Sequence, residues 1–340
     1  MAEARARLAA YLGSAAADVV YFPSPTTAIN MVAHSLSNQA RSLALKPGDE
    51  ILTTDHEYGA LDRTWTLVCK KAGAHYIRRP VALPVTTPEE LVEHFWAGVT
   101  GRTRVIFISH ITSPTALTFP VQEICRRARA AGLLTIVDGA HAPGQIPLNL
   151  TELGADIYTG ACHKWLCAPK GSAFLYARPE TQSWLEPLVV SWGWGNDDIP
   201  PTPGMGSTRF ISFHEWQGTR DLAAFLATPT AIQFQAEHHW DAVRRECHAL
   251  ASETRQRVND LTGLEAICPD SPEWFRQMTT IRLPRVDVEL LKTRLYDEFR
   301  IEAPVVEWNG QQFVRVSFQA YNSRQDADAL IKALEILLQR

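Results

Sequence analysis

The chain has 340 residues, 46% hydrophobic and 21% charged, with a formal net charge of −4. That is the composition of a packed globular protein rather than a disordered one, and the length suits two domains or one large domain with a smaller appendage. The slight negative balance provides no basic field for nucleic acid, the Arg126, Arg127 and Arg129 group and the Arg244 and Arg245 pair read as solvated helix faces, and no apolar run reaches membrane-spanning length.

The opening "MAEARARLAAYLG" lacks the pattern of a signal peptide and reads as an amphipathic helix. From there to about residue 235 short apolar strands alternate with helical stretches. Strands are expected at 19–22, 50–54, 75–79, 104–109, 133–138, 155–161 and 172–177, with helical patterns at 27–40, 60–72, 88–97 and 120–131. Such alternation, with apolar runs instead of in–out patterning, predicts an α/β fold built on a largely parallel seven-stranded sheet buried on both faces. The stretch 191–218, rich in Gly, Pro, Trp and Ser, reads as a long ordered loop, and loops of that length are more often functional than idle. After a helical region at 221–262 come "MTTIRL", a helix near 287–299, "FVRVSF" and a closing helix near 324–339, a small α+β unit. The division expected is a large domain over 1–235 and a small one over 236–340.

The six cysteines are scattered, as suits thiols of a reducing cytoplasm. Cys162, His163 and Cys167 lie near one another, but no second ligand pair stands at a zinc-site spacing, so no metal is expected. No G-x-G-x-x-G follows the first strand, which removes the dinucleotide fingerprint.

In a doubly wound sheet, ligands bind beyond the carboxyl ends of the strands. Three features fall on that rim. After "VVYF", Ser24, Thr26 and Thr27 open a helix; after "LLTIVD" stands Asp138, in "DGAHAPGQ"; after "ADIYTGA" stand His163 and Lys164, in "TGACHKWLCAP". Each has a plain structural explanation: helix caps, a loop-capping acid, a solvated lysine whose stem covers Trp165. Each also has a chemical one. A helix N-terminus with hydroxyls suits a phosphate. A lysine kept inside suits a Schiff base with a carbonyl cofactor, because burial leaves its amine nucleophilic. An aspartate can keep a pyridine nitrogen protonated. The coincidence of all three on one rim favours pyridoxal 5′-phosphate.

"VDGAHAPGQ", with the lysine of "HKW" 26 positions after its aspartate, resembles the class V aminotransferase family of fold-type I pyridoxal-phosphate enzymes. "PTTAINMVA", "DHEYGA", "SHITSPTA", "CHKWLCAPKGSAFL", "QGTRD" and "FVRVSFQAYN" follow in that family's order, and "HEYGA", "SPTA" and "HKWLCAPKG" are most similar to its isopenicillin N epimerase-like branch. The resemblance implies that Lys164 is the Schiff-base lysine, Asp138 the partner of the ring nitrogen and His56 the residue stacked on the ring. It implies that Thr26, Thr27 and His163 hold the phosphate, that Ala140 and His141 pack near the ring with His141 at its phenolic oxygen, and that Arg315 clamps the substrate α-carboxylate. Thr219 would reach the phosphate of a neighbouring subunit, which implies a homodimer with shared sites.

Three departures stand out. "IEAPVVEWNGQQFVRVSF" has no cysteine where the family's desulfurases carry their nucleophile, so persulfide chemistry of that type is not expected. Ala161 stands where this branch often has a polar residue, so a weakened phosphate contact is expected. The chain also begins where the family has already traversed an N-terminal segment, so a truncation or an open-site variant is expected.

The implied activity is proton removal at the α-carbon of an amino acid by Lys164. Epimerisation, transamination and β-elimination by a C–S lyase all remain open beyond that step. Epimerisation needs a second base, for which His56 and Tyr58 are the candidates. A cofactor-binding protein that has lost catalysis is the alternative of another class.

Overall fold

The computed structural model describes residues 1–38, 43–196, 202, 204 and 206–338. Parts of the expected 191–218 loop, residues 39–40 of the expected helix 27–40 and residue 339 of the closing helix lie outside the described residues.

Two compact units are present. The first comprises residues 1–80, 92–111 and 120–237. Its seven strands are β1 (Val19–Phe22), β2 (Glu50–Thr54), β3 (His75–Arg79), β4 (Thr103–Ser109), β5 (Leu134–Asp138), β6 (Ile157–Ala161) and β7 (Ala173–Ala177), each within two residues of its expected place. They form one sheet in the order β1-β7-β6-β5-β4-β2-β3. The pairs from β3 to β6 are parallel, while β7 runs antiparallel to both β6 and β1. Two reversals restore the direction, so β1 runs with β6 and its carboxyl end reaches the same rim as those of β2, β4, β5 and β6. That geometry lets the helix after β1 and the loops after β5 and β6 share a site.

Strands β1, β2, β6 and β7 are buried at every residue, as expected of a sheet covered on both faces. Strand β3, at the edge, is different. Its sequence HYIRR is mostly exposed, and charge on an edge strand discourages pairing with another chain. Helices α1 (Ala2–Tyr11), α2 (Pro25–Ser37) and α3 (Gly59–Ala72) belong to this unit. Buried Leu61, Trp65, Val68 and Cys69 repeat at helical spacing and turn one face of α3 to a core that includes Phe22, Ile29, Ile51 and Phe107. Helix α1 is tied down by a buried ion pair, Arg5 to Glu215 at 2.6 Å, and by the Tyr21 hydroxyl donating to the Ala4 carbonyl at 3.0 Å.

The second unit comprises residues 81–91, 112–119 and 238–340. A long helix, Trp240–Thr262, accompanies the antiparallel sheet of β8 (Met278–Leu283), β9 (Val305–Trp308) and β10 (Gln311–Ser317), ordered β8-β10-β9. Helices Val288–Phe299 and Arg324–Leu338 complete it. Strand β9 was not among the expected strands. Asn309 and Gly310, both at positive φ (48° and 72°), form the two-residue turn that pairs Trp308 with Gln311, which is the Asn-Gly hairpin chemistry. Among the described residues no helix is long and apolar enough to cross a membrane.

The end of β5 has no room for a larger residue. A Cβ on Gly139 would lie 2.1 Å from the ring of Tyr158, which is fully buried. Gly139→Ala is therefore expected to cost about 3 kcal/mol through overpacking. An unchanged urea midpoint for the variant would contradict this.

Candidate active site

The site is built outward from Asp138, the last residue of β5. The parallel register sets Ser109 of β4 opposite it on one side and Thr159 of β6 on the other. Its carbonyl accepts from the His110 N–H at 2.8 Å, and its carboxyl oxygen Oδ1 accepts from the Ala140 N–H at 2.9 Å. The side chain is buried. Burial pushes its pKa above the usual carboxylate value, while the Ala140 N–H and the charge of Lys164 pull it back. His110 also joins Nδ1 to the buried Tyr158 hydroxyl at 2.9 Å, so the wall behind Asp138 is hydrogen-bonded.

Lys164 lies in the turn after β6. Of the two readings of Lys164, solvated or kept inside, the structure has the solvated one: Lys164 is exposed, whereas Trp165 and Leu166 beside it are buried. The turn stands past the end of the β6 ladder, and its two apolar residues take the interior positions, leaving the lysine on the open side. Its Nζ lies 3.1 Å from His141 Nε2, in the loop after β5. His141 Nδ1 in turn accepts from the Trp165 indole N–H at 3.2 Å. Lys164, Asp138 and His141 are thus brought together by the ends of two neighbouring strands. His163 Nδ1 meets the Ser172 carbonyl at 2.8 Å; a carbonyl only accepts, so this nitrogen carries the proton.

Helix α2 begins at the same rim. Ser24 caps it, accepting from the Thr27 N–H at 3.1 Å, and Ser24 and Thr27 hydroxyls are 3.0 Å apart. Pro25 at the first turn removes a donor that would otherwise be unsatisfied. Thr26 and Thr27 are half-buried there. His56 follows β2 and is fully buried, its Nε2 3.6 Å from Asp55 Oδ1. Tyr58, at the start of α3, is 46% exposed. Thr219 is exposed in the segment after helix Arg209–Glu215.

Arg315 lies on β10 of the second unit, opposite Thr280 of β8. Its Nη1 donates to the Ser113 carbonyl and, at 3.2 Å, to the Ser113 hydroxyl. Its Nε is buried with no hydrogen-bond partner among the described residues, and burial lowers the guanidinium pKa. Arg315 lines a cavity of about 810 Å³ within this unit, together with Lys292, Tyr296 and Phe318.

Glu57 is a residue that sequence reasoning passed over, although it stands in the middle of "DHEYGA". It is buried and accepts from the Ser109 hydroxyl at 2.6 Å and the Thr54 hydroxyl at 2.7 Å. Burial, with a smaller push from Asp138, raises its pKa to about 7 against the pull of both hydroxyls. Only the register Ser109↔Asp138 shows that the two acids are neighbours, which no sequence spacing reveals.

The model of the family described as aminotransferase class-V matches residues 1–330. The isopenicillin N epimerase of Amycolatopsis lactamdurans is 39% identical over 340 residues, 98% of this chain and 84% of that one. A probable chloroplastic L-cysteine desulfhydrase of Arabidopsis thaliana is 28% identical, covering 94% of this chain and 70% of its own. The crystal structure of the cysteine desulfurase CsdA of Escherichia coli superposes with a TM-score of 0.80 at 22% identity, over 98% of this chain and 82% of that one. That structure shares the fold.

The Glu57 carboxyl gives a test of the site's electrostatics. Its folded pKa, about 7, exceeds the ordinary 4.5. The folded chain therefore binds this proton more tightly than the unfolded one, and stability from this group declines as pH rises from 4.5 to about 7. Glu57→Gln is expected to remove that decline, measured as the unfolding free energy against pH. Parallel curves for the two proteins would count against it.

Proposed function

The chain belongs to the class V aminotransferase family of pyridoxal-phosphate-dependent enzymes, and from that premise we propose that it acts at the α-carbon of an amino acid in the manner of an isopenicillin N epimerase. The observation that carries the reading is the placement of an amine and a buried carboxyl, Lys164 and Asp138, at the ends of adjacent strands within electrostatic reach of each other. The donor set fits the cofactor. A dehydrated carboxyl suits a cationic ring nitrogen, Lys164 would hold the aldehyde carbon, and the α2 N-terminus with Thr26, Thr27 and His163 would hold the phosphate. His56 would cover the ring face and His141 its phenolic oxygen.

Bound there, pyridoxal phosphate supplies an electron-withdrawing ring that acidifies the substrate's Cα–H. The residues of this chain do the rest. Asp138 holds a proton at the ring nitrogen. Arg315 binds the α-carboxylate, a guanidinium being suited to two parallel hydrogen bonds. Lys164 removes the Cα proton, and a group on the opposite face, His56 or Tyr58, returns one. In this reading the unit of residues 1–80, 92–111 and 120–237 is the cofactor domain and the other unit the small domain, so the boundary expected at 235 is interrupted by residues 81–91 and 112–119. The enzyme is a cytoplasmic homodimer with shared sites, Thr219 reaching the partner's phosphate. All six cysteines remain thiols, which supports the compartment. The run of exposed Leu188, Val189, Val190 and Trp192, the last 73% exposed, supports a covered face.

The second reading is a C–S lyase, favoured by the similarity to the Arabidopsis thaliana desulfhydrase. One experiment separates the two. The chain incubated with pyridoxal phosphate is expected to develop a visible absorbance band, absent in Lys164→Ala and bleached by borohydride. Candidate amino acids in heavy water should then gain deuterium at Cα without forming keto acid. Pyruvate and sulfide from a cysteine-derived substrate would replace the epimerase reading with the lyase one. No band in either protein would end both.

A further inference from the structure

The contacts of His141 constrain its proton, and through it the state of the lysine. An indole N–H can only donate. Because Trp165 Nε1 points its hydrogen at His141 Nδ1 from 3.2 Å, that ring nitrogen is an acceptor. This excludes both the imidazolium and the tautomer protonated at Nδ1, leaving the neutral ring with its proton on Nε2, an assignment that follows from the partner's chemistry. Nε2 lies 3.1 Å from Lys164 Nζ, so at this contact His141 donates and the lysine accepts. An ammonium has no lone pair with which to accept; a neutral amine has one.

The arrangement is held by more than two contacts. The Trp165 carbonyl accepts from the buried Gln235 amide at 2.9 Å, and the His141 carbonyl accepts from the Gln145 amide at 2.8 Å. A Cβ on Gly144, whose φ is +91°, would lie 2.3 Å from the Trp165 carbonyl, so the two loops meet backbone to backbone. Trp165 itself is buried. Of the other titratable groups close by, Asp138 favours the ammonium form of Lys164 through its charge, and His163 is turned to the Ser172 carbonyl.

We infer that Trp165 is a positioning residue of the reaction: its indole N–H fixes His141 as the Nε2–H tautomer, whose ring N–H favours the neutral, nucleophilic form of the Lys164 amine against the pull of Asp138 when the lysine is not bonded to the cofactor. The inference rests on the reading of Lys164 as the cofactor lysine. It gives the tryptophan of "HKW" a chemical task besides packing.

The test uses the full chain labelled with ¹⁵N-histidine, prepared without cofactor. A long-range ¹H–¹⁵N correlation spectrum reports which ring nitrogen is protonated, with the His141 signals identified by their loss in His141→Gln. The expected result is a bare Nδ1 and a protonated Nε2 in the wild type, and tautomer averaging in Trp165→Phe. Capture of pyridoxal phosphate at Lys164, trapped with borohydride and located by mass spectrometry, should slow about fivefold in Trp165→Phe, roughly the worth of one neutral hydrogen bond. In the His141→Gln background the tryptophan change should add nothing. A proton on Nδ1 in the wild type overturns the inference, as does an equal slowing by Trp165→Phe with and without His141. The wild-type spectrum decides the point even if Trp165→Phe fails to fold. If no adduct forms on Lys164 in the wild type, the functional reading fails, and the tautomer spectrum still decides whether Trp165 sets the proton of His141.

Discussion

A carboxyl taken out of water at the end of a parallel strand is the constraint around which the rest of the site is arranged. Dehydration makes the charged form of Asp138 expensive, and one backbone N–H at 2.9 Å offsets only part of that. A positive partner is the remaining compensation, and Lys164 at the end of the next strand provides positive potential from within the chain whenever its amine is protonated. The same low-dielectric setting reaches Glu57, which shares Ser109 with the Asp138 register and is kept close to half-protonated near neutrality by its burial. Two acids so placed cannot both be charged without cost, and that coupling makes the rim sensitive to any cation brought to it.

Close approach of the two loops of the candidate site depends on missing side chains as much as on present ones. Gly139 leaves space for the Tyr158 ring, Gly144 for the Trp165 backbone, and Gly160 for Phe174 and Pro143, each at a separation no Cβ tolerates. Because Gly144 also needs positive φ, it is constrained twice over. These glycines let the loop after β5 lie against the turn after β6. Without that approach His141 would not lie between Trp165 and Lys164, and the hydrogen-bond chain through its ring would not exist. Helix α1 joins the same assembly, since the Gly144 N–H donates to the Tyr11 hydroxyl at 3.0 Å.

The sheet was legible because apolar runs such as "RVIFIS" and the residues around "LTIVD" have no other stable home than a strand buried on both faces. The Asn-Gly turn of the β9–β10 hairpin was written in the sequence as well. It escaped notice because β9 is four residues long and mostly unburied, so it carries no periodic signal. The sequence left Lys164 open between a solvated and an interior position, and only the path of the turn assigns the interior to Trp165 and Leu166. Glu57 was hidden for a related reason: its partners Ser109 and Asp138 are 52 and 81 positions away, joined to it only by strand order.

By itself the sequence determined the seven strands of the large sheet, that they pack on both faces, and which side chains lie at their carboxyl ends, though not β9 or the helix Arg209–Glu215. Those are consequences of local periodicity and of backbone hydrogen bonding, which nearby residues settle. Tertiary structure alone decided the strand order β1-β7-β6-β5-β4-β2-β3, the return of β1 to the common direction, and the meeting of Glu57, Ser109, Asp138, His141, Trp165 and Lys164. Proton positions and pKa values belong to that second class. They depend on burial and on partners a few ångströms away, and distance in space is not a property that distance along the chain encodes.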